Sequence, residues 1–65
     1  MTIETRLQKF DVETLDLYEF QQYNTGIEIG LSKAESLQLI IDGTDDLYNL
    51  SDALQEIAIE QLNEL

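Results

Sequence analysis

The side chains in this chain that could do chemistry are carboxylates. Asp42, Asp45 and Asp46 crowd around Gly43, and Asp52, Glu56 and Glu60 follow at a spacing of four, with Tyr48 standing among them. Paired carboxylates can divide general acid and general base roles when burial pushes their pKa values apart. That needs an enclosed pocket, which a chain of 65 residues with room for one small core rarely builds. The other usual catalytic groups are missing, since there is no His and no Cys, and the cations are Arg6, Lys9 and Lys33. The chain reads as non-enzymatic, with these acids in solvent on loops and first helical turns.

Cofactor chemistry is no better supported. The oxygen-rich run Asp42-Gly43-Thr44-Asp45-Asp46 has the hard ligands that calcium and magnesium prefer. It lacks the alternating acids, following Gly and terminal Glu of an EF-hand loop. Without His and Cys the usual zinc ligand sets cannot be assembled. Gly26 and Gly30 are not followed by the strand, Lys and hydroxyl order of a phosphate cradle, and Glu28 between them argues for a turn or helix end over a membrane packing pair. No cofactor and no metal are expected.

Fourteen carboxylates against three cations leave a formal charge of −11, and 43% of the residues are apolar. The charge is unevenly placed: from Asp11 onward thirteen carboxylates face Lys33 alone, a balance of −12. Acidity of this order with so many apolar side chains favours a folded scaffold over a disordered tail. A negative field repels nucleic acid and anionic lipid and attracts basic protein surfaces over a Debye length, ~8 Å at physiological ionic strength. Direct nucleic-acid binding and a membrane role are therefore not expected, and no apolar run exceeds three residues, as in Leu39-Ile40-Ile41. The absence of Cys and of a charged-then-apolar leader is compatible with a reducing cytoplasm.

The elements that must position these acids read as helices. Pro is absent and Gly is confined to three positions, so short turns are expected between helices. Ser32 followed by Glu35 is a capping-box pattern, and Ala34, Leu37, Ile40 and Ile41 recur at helical spacing before Asp42-Gly43, where Gly43 suits a residue with positive φ. This predicts a helix over 33–42. Thr44 with two following acids suggests a helical turn or linker over 44–49. Ser51 then precedes an apolar stripe of Leu50, Leu54, Ile57, Ala58, Leu62 and Leu65, which predicts a helix over 51–65.

The N-terminal half admits two readings. Asp11 as an N-cap, with Leu17, Phe20, Asn24, Ile27 and Leu31 at helical spacing, predicts a helix over 11–25. Alternation in Ile27-Glu28-Ile29-Gly30-Leu31 supports instead a hairpin of strands 14–20 and 27–31 followed by two helices, an α+β alternative. Residues 1–10 fray or extend the first helix. The favoured fold is a single small all-α domain of three helices, oligomeric or partner-stabilised, since a core of this size is marginal and no disulfide or metal braces it. Leu15, Leu17, Phe20, Leu37, Ile40, Ile41, Leu54, Ile57, Ala58 and Leu62 are the expected core.

The function that follows is non-catalytic protein binding. Carboxylates displayed along a helix can compete for a surface built to hold phosphates, because duplex DNA carries one charge per ~1.7 Å of axis. In size and charge the chain resembles small phage proteins that mimic DNA and inhibit restriction, CRISPR or repair enzymes, and the resemblance is one of composition. It implies a basic, nucleic-acid-binding protein surface as partner. The expected docking residues are Asp42, Asp45, Asp46, Tyr48, Asp52, Glu56 and Glu60, and reversing Glu56 and Glu60 to Lys is expected to abolish binding without unfolding. The alternative is a homo-oligomeric structural or assembly subunit whose acidity keeps it in solution.

Overall fold

Each long helix in this protein begins where a side-chain or backbone acceptor is available for its unpaired amides, and those acceptors set the boundaries. A computed structural model describes residues 3–64. Helix α1 spans Ile3–Leu7, α2 Leu17–Glu28, α3 Lys33–Asp42 and α4 Asp52–Glu64, with 3-10 turns at Val12–Thr14 and Leu47–Asn49. There is no strand among the described residues, so the domain is all-α and the hairpin alternative falls: most of its residues lie in α2. Leu65, the last residue of the expected C-terminal stripe, lies outside the described residues.

Helix α3 starts at the predicted capping box. The Glu35 amide donates to Ser32 Oγ at 3.2 Å and the Ser32 amide to Glu35 Oε1 at 3.1 Å. Helix α2 does not start at Asp11. That carboxylate accepts from the Glu13 amide at 3.0 Å and caps only the short 3-10 turn, after which Leu15 is extended and points into the core. The chain restarts at Asp16, whose Oδ1 accepts from the Glu19 amide at 2.8 Å while Glu19 Oε1 accepts from the Asp16 amide at 3.2 Å. This is a second capping box. At the far end Gly30 has φ +97°, the Leu31 amide donates to Gly26 O and the Gly30 amide to Ile27 O, both at 3.0 Å, which together make a Schellman stop.

Gly43, expected at positive φ, is instead an ordinary C-cap with φ −81°. Thr44 explains it: its hydroxyl donates back to Ile40 O at 3.0 Å, so Thr44 closes α3 and caps nothing after it. Asp46 caps the next 3-10 turn.

Register between α2 and α3 is set by a close approach. A Cβ built on Gly26 would lie 2.5 Å from the Oγ of Ser36, which is fully buried and without a hydrogen-bond partner. Only a glycine lets the helices meet this closely. The face of α2 turned inward is therefore Glu19, Tyr23 and Gly26, spaced i, i+4, i+7. The expected stripe is rotated outward from it, leaving Leu17 at 74% exposure and Phe20 at 39%. Leu62 is also a correction, at 60% exposure. Ile41 is half-buried, and Leu15, Leu37, Ile40, Leu54, Ile57 and Ala58 occupy the core as expected, joined by Tyr23 and Leu50. α1 adds Ile3 and Leu7 over this core. The radius of gyration is 10.9 Å, close to the ~11 Å of a globular chain of this length.

Candidate functional site

The fold divides the seven expected docking residues between two places. Asp42, Asp45, Asp46, Tyr48 and Asp52 gather at the corner where α3 passes through the 3-10 turn into α4. Glu56 and Glu60 lie further along α4, on the seam with α1.

At the corner two of the acids are held by local hydrogen bonds. Asp42 is the last residue of α3, and its Oδ1 accepts from Gln38 Nε2 at 2.7 Å. Asp46 Oδ1 accepts from the Tyr48 amide at 2.9 Å, which fixes the turn and leaves the Tyr48 ring projecting at 83% exposure. Gln55 Nε2 clamps this turn onto α4 by donating to Leu50 O at 2.7 Å. Asp45 borders two clefts. One, of about 700 Å³ between α3 and α4, also includes Asp42 and Glu64, and the other, of about 320 Å³ toward the start of α2, includes Asp16 and Asp46. Among the described residues no Lys or Arg lines either cleft.

The seam is the opposite case. Arg6 Nη2 lies 2.6 Å from Glu56 Oε1 and Arg6 Nε 2.9 Å from Glu60 Oε2, the latter an ion pair too poorly aligned for a hydrogen bond. The Glu56 hydrogen bond raises the Arg6 pKa above its ordinary value, burial opposes that, and the Glu60 and Glu56 charges add to the rise. Lys9 lines a cleft at this seam together with Arg6 and Glu56. Glu56 and Glu60 thus already hold a cation of their own chain.

Two participants were not read from the sequence. Asp16 joins the corner because α2 begins there and not at Asp11, and the signal that finds it is Asp16-x-x-Glu19. Glu19 is 2% exposed, and its second oxygen, Oε2, accepts from the Ser51 amide at 2.9 Å. Ser51 O accepts the first bond of α4, from the Gln55 amide, so one buried carboxylate serves the starts of both α2 and α4. A capping box normally draws its glutamate from the third position of the same helix, which in α4 is Leu54, and Glu19 supplies that role from 32 residues away.

The electrostatics at the helix ends run against stability. α2, α3 and α4 have no basic residue in their last turns, and their last described residues are Glu28, Asp42 and Glu64. A carboxylate facing the negative end of a helix dipole costs about 0.3–1 kcal/mol. Glu35 illustrates the favourable arrangement, its pKa lowered by hydrogen bonds from the Ser32 backbone and side chain at a helix start, against a small opposing effect of burial. Comparison with protein-family models, curated proteins and solved structures returns no match to this chain. No helix of the described residues is long and apolar enough to cross a membrane.

Proposed function

We propose that this protein is a non-catalytic binding module whose acidic corner docks on a basic surface of another protein, of the kind built to hold nucleic-acid phosphates. One observation carries the reading: Asp42, Asp45, Asp46 and Asp52 are exposed near a projecting Tyr48, and among the described residues no Lys or Arg lines the clefts that Asp42, Asp45 and Asp46 border. Lys33 lies at the opposite end of α3, about 14 Å along the helix axis. A potential left uncompensated in this way steers a basic partner into place and weakens with salt. Tyr48 supplies the flat amphipathic ring that such contacts favour for stacking on Arg.

The test is capture of the partner from the source cells, with washes between about 50 mM and 500 mM salt and competition by duplex DNA. Release by salt and by duplex supports a phosphate-like surface. A partner that stays bound at high salt and ignores duplex rejects it.

A specific observation favours a second reading, self-association. Leu17, Phe20 and Ile27 form an exposed stripe on α2, at 74%, 39% and 41% exposure. Sedimentation over a range of concentrations separates the two, since a monomer throughout removes self-association and leaves the corner as the binding surface.

A further inference from the structure

The 700 Å³ cleft between α3 and α4 is a groove with an apolar floor and an anionic rim. Leu50 and Ala58 are buried at its base, Ile41 and Leu47 are half-buried on one side, and Leu62 rises at 60% exposure on the other. Asp42, Asp45 and Glu64 border the opening. The two glutamines that also line it are satisfied by each other and by the rim: Gln61 Nε2 donates to Gln38 Oε1 at 2.6 Å, and Gln38 Nε2 donates to Asp42 Oδ1 at 2.7 Å. This relay ties α4 to α3, so the groove has its shape before anything enters it, and it orients the Asp42 carboxylate at the rim.

We infer that this groove receives a basic amphipathic helical segment of the partner, its apolar side chains seated on Ile41, Leu47 and Leu62 and its flanking Lys or Arg paired with Asp42 and Asp45. The inference rests on the proposal that the acidic corner binds a basic protein, and it names the contact that gives such a complex more than charge. Charge complementarity selects this occupant. A second copy of the chain brings a formal charge of −11 to a rim that is already anionic. A neutral apolar ligand makes no use of the rim. A helix carrying apolar anchors at i, i+3, i+4 and i+7 with cations beside them matches both floor and border. The volume falls within the range of about 300–1,000 Å³ of occupied pockets and leaves room for several apolar side chains.

The experiment titrates the ¹⁵N-labelled 65-residue chain with two synthetic helical peptides of equal length and charge, one of Leu and Lys in amphipathic order and one of Ala and Lys. The expected result is that the Leu/Lys peptide moves the amide signals of Ile41, Leu47, Leu50 and Ala58 and binds at least about tenfold more tightly than the Ala/Lys peptide. Leu62→Gln, at an exposed position, is expected to lose about tenfold in affinity for the Leu/Lys peptide and nothing for the other. Equal binding of both peptides, with shifts spread over Asp45, Asp46 and Asp52, overturns the groove and leaves the acidic surface standing. Binding of neither peptide at low salt overturns both. Shifts confined to Leu17, Phe20 and Ile27, or groove signals that move with protein concentration alone, also reject the groove, in the second case in favour of a second copy.

Discussion

Two acidic regions of this molecule are built from the same residue type and do opposite things. Along the α1–α4 seam, Glu56 and Glu60 converge on Arg6 and spend their charge inside the chain, fastening the short N-terminal helix to the core. At the α3–α4 corner, Asp42 accepts from Gln38, Asp46 caps a turn, Asp45 borders two clefts, and no Lys or Arg among the described residues lines those clefts. An acid's presence on a helix therefore says little about what it faces. The position of Arg6 divides the seam acids, which it pairs, from the corner acids, whose clefts no Lys or Arg among the described residues lines.

The largest expected effect breaks the corner itself. Glu19 holds the starts of α2 and α4 with one buried carboxylate, and a hydrogen bond to a charged group is worth about 1.5–3 kcal/mol. Glu19→Ala leaves the Asp16 and Ser51 amides without these partners, and a loss of about 3 kcal/mol or more is expected. That is a large part of the total stability of so small a domain. Urea denaturation followed by circular dichroism measures it, and a loss below about 1 kcal/mol would show that the shared cap is incidental. Glu19→Gln keeps the shape and places an amide where one acceptor stood, so it should lose less than Glu19→Ala.

Charge reversal sharpens the comparison next. Asp42→Lys with Asp45→Lys is expected to weaken the Leu/Lys peptide at least about tenfold while leaving the fold intact, because neither side chain caps a helix start. Glu56→Lys with Glu60→Lys should instead release α1, seen as faster amide exchange over residues 3–7, with affinity reduced less than about threefold. This reverses the expectation drawn from the sequence, where the two glutamates were part of the docking face and their reversal was to abolish binding and spare the fold. If the seam pair proves to control affinity, the division of labour proposed here is wrong.

How much of this was legible beforehand follows from which interactions are local. Ser32 and Glu35 are three residues apart and their box was readable, as were the helix over 33–42 and the stripe of Leu54, Ile57 and Ala58. Asp11 and Asp16 are both plausible caps in a linear reading, and Leu15 in extended conformation between them decides the matter through its burial. The inward face of α2 was not readable from apolar spacing, because Gly26 and Ser36 bring the helices together on a polar and glycine-bearing face. Arg6 finding Glu56 and Glu60 is a tertiary event fifty residues apart in number, and nothing periodic announces it. The corner acids were found by density alone. Density did not separate them from the seam.

Acid should loosen the favourable cap at the start of α3. The folded pKa of Glu35 is lowered, so its contribution to stability is fully present above its ordinary pKa and is lost as pH falls through the lower folded value. The stability gap between the wild type and Glu35→Gln is therefore expected at neutral pH and should close from about pH 4.5 downward. Urea midpoints at a series of pH values check the sign. A gap that widens on acidification would mean that the carboxylate is not what the Ser32 amide needs.

The smallest effect bears most directly on why the acids are there. Glu28 and Asp42 end their helices against the dipole, with no basic residue in either last turn. Glu28→Gln and Asp42→Asn should each raise stability by a few tenths of a kcal/mol, visible as higher urea midpoints that converge with the wild type in high salt. Asparagine keeps the acceptor that Gln38 uses, so the gain from Asp42→Asn isolates charge from hydrogen bonding. The two positions part company in binding. Asp42→Asn should weaken the Leu/Lys peptide while stabilising the fold, and Glu28→Gln, which borders neither corner cleft, should stabilise it without changing affinity. A gain in stability matched by a loss in affinity at Asp42 alone would identify the corner acids as charges kept for a partner at the expense of the fold.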